Sequence, residues 1–194
     1  MKLSEKRTLK KKEQILSTAI TVINHRGYGG ATMEEIAAEL LMTKGSLYYY
    51  FKNKGDLMYQ CHNFVLSQAA NELKDVLEGE GTAEKILRGM ISTHIDYVID
   101  EKETNNLIIE PRSYFDDYQL ESVLELRKYY SGLFDQVIEK GVISGEFHVE
   151  DPFIVRMMVL GSTNWIQQWY RPDGSMTKDE LKQKFGDQIV KLLK

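Results

Sequence analysis

From Lys44 to Tyr50 the chain places one cation, two small residues and three tyrosines around a single leucine, in the order Lys-Gly-Ser-Leu-Tyr-Tyr-Tyr. On a helix, Leu47 and Phe51 at i and i+4 share one inward stripe. Lys44, Gly45, Ser46, Tyr48 and Tyr49 then face outward. This outward set contains no acid–base pair and no activated nucleophile. Its chemistry is recognition: an ammonium that reaches a phosphate or a guanine edge, hydroxyls that donate and accept, and small residues that let a backbone approach closely. Such a face suits the major groove of double-stranded DNA better than it suits water.

Two helices are needed to present it. Thr32 is placed to cap the first, its hydroxyl accepting an orphan backbone N–H, and Glu35 three residues on completes a capping box. Ile36, Ala37 and Leu40 fall on that helix's inward face. Thr43 is placed to cap the second in the same way. A short helix, a tight turn and a second helix with an outward polar face is a helix-turn-helix. The alternative, a buried helical hairpin with no DNA role, accounts less well for the groove-facing composition.

The stretch from Thr32 to Leu57 resembles the TetR family of bacterial regulators, whose pattern is roughly T-x-x-x-I-A-x-x-A-G-V-S-x-G-T-L-Y-x-H-F-x-x-K-x-x-L. Thr32, Ile36, Ala37, Gly45, Leu47, Tyr48, Phe51, Lys54 and Leu57 match it identically, and Thr43 and Ser46 conservatively, with no insertion. Leu40 and Leu41 stand where Ala-Gly is usual, Met42 replaces Val or Ile, and Tyr50 replaces His. A leucine where the turn commonly takes a positive φ implies about 1 kcal/mol of strain, or a remodelled turn. The resemblance implies an all-α protein. An N-terminal three-helix DNA-binding domain (1–53) would precede a larger helical domain for effector binding and dimerisation (54–194). It also implies a double-stranded DNA operator contacted by Thr32, Thr43, Lys44, Gly45, Ser46, Tyr48, Tyr49, Tyr50 and Lys54, the last through a phosphate.

Charge is divided to match. The net charge is −4, yet residues 1–60 carry ten Lys or Arg against six Asp or Glu, while the remainder carries fifteen against twenty-three. The basic footprint is therefore local and N-terminal. MKLSEKRTLKKK, with six basic residues in twelve, precedes any apolar periodicity and reads as a mobile arm, either a DNA contact or a solvated leader. Three prolines and little β-branched alternation point to helices throughout. A lone cysteine, Cys61, excludes a disulfide framework and fits a reducing cytoplasm; beside Tyr59 and Phe64 it reads as a structural thiol. No apolar run approaches 18 residues and no cleavable signal pattern is present, so no membrane association is expected.

Along the chain, Ile15, Ala19, Val22 and Ile23 form a helical stripe from Glu13 that ends near Gly27, a C-cap. Asn53 begins a long helix, Lys54 to Leu77, which Glu78-Gly-Glu-Gly81 closes. Thr82 caps the next, to about Ile99. A short segment from Leu107 to Arg112, broken by Pro111, leads to a helix from about Tyr118 to Gly141. Asp151 and Pro152 open a helix to Tyr170, and Arg171-Pro-Asp-Gly174 turns into the last, Thr177 to Leu193. Phe153, Met157, Leu160, Gly161, Asn164, Trp165 and Gln168 share one face of the penultimate helix, and Leu181, Phe185 and Ile189, with Leu192 or Leu193, share a face of the last. In this family two such helices from each of two chains form a four-helix dimer interface; the alternative is packing within one chain.

No enzyme signature is present: no Gly-rich phosphate loop, no HExxH, no nucleophile elbow and no metal spacing among the four histidines. Neither a metal nor a cofactor is expected. The resemblance makes the acidic remainder a sensor for a small-molecule effector. Candidates for its lining are polar or aromatic residues on apolar stretches: His62, His94, Tyr97, Arg112, Tyr114, Trp165 and Trp169. Arg112 could meet a carboxylate or phosphate, or pair with Asp116 or Asp117. Trp-Tyr-Arg-Pro-Asp-Gly is similar to the same point in TetR-type regulators of lipid and sterol degradation that respond to acyl-CoA thioesters, so an acyl-CoA or fatty acid is the first expectation. A competing reading is a constitutive DNA-binding protein whose C-terminal domain recruits a protein partner.

Overall fold

The computed structural model describes residues 3–102 and 115–194. Every element among them is a helix: α1 (Leu3–Gly30), α2 (Met33–Glu39), α3 (Lys44–Tyr50), α4 (Lys54–Leu77), α5 (Ala83–Asp100), α6 (Asp117–Ile143), α7 (Pro152–Asn164), the single turn α8 (Ile166–Trp169) and α9 (Lys178–Leu193). No described helix is long and apolar enough to cross a membrane. The segment expected at 107–112, with Pro111, lies outside the described residues. The chain divides into two compact units, 1–65 with 101–123 and 66–100 with 124–194.

In the first unit, the stripe of α1 is closed to solvent, with Ile15, Ala19 and Ile23 all at 0% exposure. Gly27, at φ 71° and ψ 165°, breaks the helix where the sequence placed its cap. The start differs. Helix begins at Leu3 rather than near Glu13, so Lys6, Arg7, Lys10, Lys11 and Lys12 ride on a helical extension instead of a mobile arm, the first three exposed and the last two partly covered. Leu, Glu, Lys and Arg are strong helix formers and need no apolar stripe to propagate a helix already nucleated, which is why the apolar pattern under-read it.

α2 has the full capping box: the Glu35 N–H donates to Thr32 Oγ1 at 3.1 Å, and the Thr32 N–H to Glu35 Oε2 at 3.1 Å. It ends in a Schellman turn, with the Met42 N–H donating to Ala37 O at 2.8 Å and the Leu41 N–H to Ala38 O at 3.0 Å. That geometry places its C′ residue in the left-handed region, and Leu41 sits there at φ 53°. The turn is therefore unremodelled and carries the leucine strained. At the head of α4, the Asp56 N–H donates to Asn53 Oδ1 while the Lys52 N–H donates to the Asp56 carboxylate, both at 2.8 Å. Capped in this way, α4 runs unbroken for 24 residues.

The second unit is built on α5, which packs against α7, α8 and α9. Leu87, Met90, Ile91, Ile95 and Val98 are all at 0% exposure. Burying each such side chain contributes about 1.5–3 kcal/mol, which ties α5 into the core of the unit. Thr82 caps it as expected, accepting the Lys85 N–H at 3.2 Å. A second cap comes from far along the chain: the Glu146 carboxylate accepts the Ala83 and Glu84 N–H groups, each at 3.0 Å. These amides hold the Glu146 carboxyl below the usual carboxylate range. Phe147 next to it is buried over Gly141, where a Cβ would stand 2.0 Å from the ring.

Asp151 caps α7 through the Phe153 and Ile154 N–H groups, at 3.0 and 3.3 Å. The single helix expected to Tyr170 divides at Trp165. There the Gln168 N–H donates back to Trp165 O, a tightened i→i+3 bond of 3.0 Å. The cause lies one turn earlier. The buried Thr163 hydroxyl donates to Val159 O at 2.6 Å, and such side-chain bonding to the preceding turn competes with regular helix. α9 carries a capping box of Thr177 and Glu180, and ion pairs from Lys178 to Asp96 and Asp100 and from Lys182 to Asp96 join it to α5.

Candidate functional site

α2 and α3 assemble the outward set as a fixed surface. Leu47 and Phe51 are 0% and 1% exposed, so α3 has one rotation about its axis. Thr43 caps it through the Ser46 N–H at 3.1 Å, and the two hydroxyls are 2.8 Å apart. With those bonds made, Lys44, Gly45, Ser46, Tyr48 and Tyr49 are all exposed, Tyr49 at 81%. A Cβ on Gly45 would meet only Thr43 Oγ1, at 4.0 Å. Nothing in the chain's own packing requires a glycine at that position, which leaves close approach from outside as the use for its small size. Tyr50 turns partly inward, its ring edge-on to Tyr49 at 5.1 Å.

Lys44 is engaged. Its ammonium forms an ion pair with Glu34 on α2 and sits 5.8 Å over the Tyr48 ring. The hydrogen bond between the two holds the Glu34 carboxyl low and raises the Lys44 ammonium. The sequence reading missed Glu34, because the capping box drew attention to Glu35 and a cross-helix partner leaves no mark at helical spacing. Lys54 lies in the first turn of α4, half-buried. On the α1 extension, Arg7, Lys10 and Lys11 border an open depression together with Phe64 of α4.

The effector candidates separate. In the first unit His62 is fully buried beside Phe115, ring centroids 5.7 Å apart. In the second unit His94 and Tyr97 of α5 meet Tyr130 and Phe134 of α6 in one buried aromatic cluster. His94 Nδ1 lies 2.7 Å from the Tyr130 hydroxyl. Burial lowers the His94 pKa to about 4, with Asn164 opposing the shift; the same burial pushes Tyr130 well above 10. Arg127, one turn before Tyr130, is half-buried and its guanidinium is pulled below its usual pKa by burial. It was not among the candidates, since Glu125 and Lys128 make its stretch of sequence read as a charged surface.

Trp165 and Trp169, expected as lining candidates, stand at the two ends of α8 and are 65% and 45% exposed. A turn tightened at Trp165 keeps both indoles on the outer face, and Trp169 stacks on Phe185 of α9 at 6.5 Å. Arg112 and Tyr114 lie outside the described residues.

On the proposed interface, Phe153, Met157, Gly161, Trp165 and Gln168 are exposed, and Leu160, Asn164 and Phe185 partly so. Leu181 and Ile189 are corrected, at 1% and 7% exposure. Leu181 is closed within its own unit, whereas Ile189, although buried, lines the groove between α7 and α9. Ile154 and Met158 join the exposed face, at 49% and 53% exposure, and of the two expected leucines Leu192 lies on it, at 69% against 2% for Leu193. An apolar groove of about 230 Å³ runs between α7 and α9, walled by Val155, Met158, Val159 and Leu192. Cys61 is sealed: 0% exposed, its sulfur 3.9 Å from Leu16 O and its thiol pushed far up by burial.

Residues 15–61 match the family model described as "Bacterial regulatory proteins, tetR family", and residues 80–193 match "Tetracyclin repressor-like, C-terminal domain". Over 162 residues the chain is 26% identical to the fatty acid metabolism regulator protein of Bacillus subtilis (strain 168), covering 79% of this chain and 82% of that one. Its fold is similar to a transcriptional regulator of the TetR/AcrR family from Thermobifida fusca YX-ER1, with a TM-score of 0.80 at 22% identity over 93% of this chain and 97% of that one. AibR, solved in complex with isovaleryl coenzyme A and operator DNA, superposes with a TM-score of 0.76 at 24% identity over 94% and 97% of the two chains.

Proposed function

The chain belongs to the TetR family of bacterial regulatory proteins, and from that premise we propose that it is a homodimeric repressor released from a pseudo-palindromic operator by an acyl-CoA or fatty acid. The observation that carries the DNA-binding part is the α2–α3 surface. Two capped helices fix Lys44, Gly45, Ser46, Tyr48 and Tyr49 outward, and the glycine has no internal reason to be one. Residues 1–53 act as the reading head and 54–194 as the sensing and pairing domain.

A dimer has a geometric reason, because two recognition helices must reach successive major grooves about 34 Å apart. The exposed face of Phe153, Met157, Trp165 and Leu192 with its groove supplies apolar surface for a second copy. Two observations support an acyl-type effector. The fatty acid metabolism regulator is among the relatives, and AibR was solved with an acyl-CoA. Within this chain, Arg127 and the His94–Tyr130 pair place a cation and hydrogen-bonding groups beside aromatic carbon, which suits a polar head on an apolar tail. The effector tilts α4, the tilt changes the separation of the reading heads, and one half-site is lost. By linkage, operator and effector weaken each other by the same factor.

Native mass spectrometry of the purified protein, with a thermal-shift panel of acyl-CoAs, fatty acids and aromatic cations, tests the effector. A dimer stabilised by acyl-CoAs or fatty acids and released by them from selected DNA is the expected result. Stabilisation by none of them, with DNA binding intact, refutes the effector. For the reading head, Lys44→Ala and Tyr48→Ala each weaken binding to selected duplex without changing the melting temperature; unchanged affinity in both refutes it.

A further inference from the structure

Glu34 has no part in the core. Its side chain and that of Lys44 are 59% and 53% exposed, and an ion pair so exposed adds little to stability. Glu35 beside it is occupied by the capping box, and α3 itself carries no acid. Of the acids on α2, Glu34 is the one the structure sets against Lys44, the one ammonium of α3. We infer that Glu34 is a specificity-determining residue, acting with Lys44 as an acceptor–donor pair that selects a cytosine beside a guanine in the operator and disfavours DNA of arbitrary sequence. The inference rests on α3 being the groove-facing helix.

The argument is one of complementary edges. Guanine offers two acceptors in the major groove, O6 and N7, which suit an ammonium; cytosine offers one donor, the N4 amino group, which suits a carboxylate. Lys44 can donate to a guanine while Glu34 accepts from a cytosine on the adjacent pair, so both give up their mutual bond and both are satisfied. Guanine and thymine present Glu34 with acceptors only, and adenine sets its N7 acceptor beside its N6 donor, where it repels the second carboxylate oxygen, so cytosine replaces the lost bond best. On other sequences Lys44 stays with Glu34, and one cation is withheld from the phosphates. Non-specific affinity is held down by the same residue that reads the base.

Selection from a random-sequence duplex pool with the full-length wild type and with Glu34→Gln tests this, beside fluorescence anisotropy on a scrambled 30-bp duplex over a range of KCl. Gln is of equal size at an exposed site, and a matching melting curve checks that folding is intact. Wild type is expected to enrich a half-site with a C next to a G. Glu34→Gln is expected to keep the half-site spacing, lose the cytosine and move toward adenine, the base that Gln pairs with. Its binding to the scrambled duplex rises roughly 5- to 10-fold at low salt, and the slope of log affinity against log salt steepens by about 1 as Lys44 is freed. The same enriched bases and the same scrambled-duplex affinity in both proteins overturn the role of Glu34 while leaving α3 as the reading helix. No motif enriched by the wild type overturns the reading of α3, and the inference with it.

Discussion

Replacing Leu41 by glycine should stabilise the protein. Leu41 is held at φ 53° by the hydrogen bonds that close α2, and its side chain is 96% exposed. No packing is lost on removing it. An L-residue in the left-handed region costs about 1–2 kcal/mol. Glycine removes that cost but has more freedom in the unfolded chain, which offsets about 0.4–1 kcal/mol. The net gain is about 0.5–1 kcal/mol, and in a chain of this size each kcal/mol moves the melting temperature by roughly 2–4 °C. Leu41→Gly should therefore melt about 1–4 °C higher by calorimetry. Leu41→Ala is the control, because it keeps the backbone penalty while removing the exposed apolar group, and it should melt with wild type. A glycine variant no more stable than wild type, or an alanine variant that gains as much as glycine, refutes the strain argument.

His94 makes stability pH-dependent. Its folded pKa, near 4, lies below the ordinary 6.5, so the unfolded chain takes up the proton first. Its contribution is whole above pH 6.5 and is lost as pH falls toward 4, by about 3 kcal/mol in all. His94→Phe should flatten the urea-midpoint profile across that window, and a profile as steep as wild type would count against it. Gly141→Ala should destabilise by about 1–3 kcal/mol, since a methyl would overlap the Phe147 ring; an unchanged denaturation midpoint would contradict this. Met157→Glu, at an exposed position on the α7 face, should shift the species seen by sedimentation toward monomer with the fold retained, and an unaltered dimer would place the interface elsewhere.

Where the chain signals an element locally, the sequence was enough. Thr32, Thr43, Asn53 and Thr82 cap the helices they were expected to cap, and Asp151 opens α7 as expected, because a capping bond is made within three or four residues. Leu47 and Phe51 face inward for the same reason. What the sequence could not show depends on partners far along the chain. Glu34 meets Lys44 across a turn, and Glu146 caps a helix more than sixty residues before it. Leu181 and Ile189 fall on an apolar stripe of α9 that could face either its own unit or a partner. Periodicity gives a stripe but not what covers it, and only the burial of both residues in the folded unit decides. The same limit made Trp165 and Trp169 candidates for an effector's lining, although both are exposed.

The sealed thiol of Cys61 has a practical consequence. It is the only cysteine in the chain, fully enclosed, and held in its protonated and unreactive form. Maleimide and methanethiosulfonate reagents should pass it by in the native protein. A cysteine introduced at the exposed Lys52 would then carry a spin label alone, with the native residue left in place. Two such labels in a dimer would report the distance between reading heads directly by pulsed electron resonance, with and without an acyl-CoA.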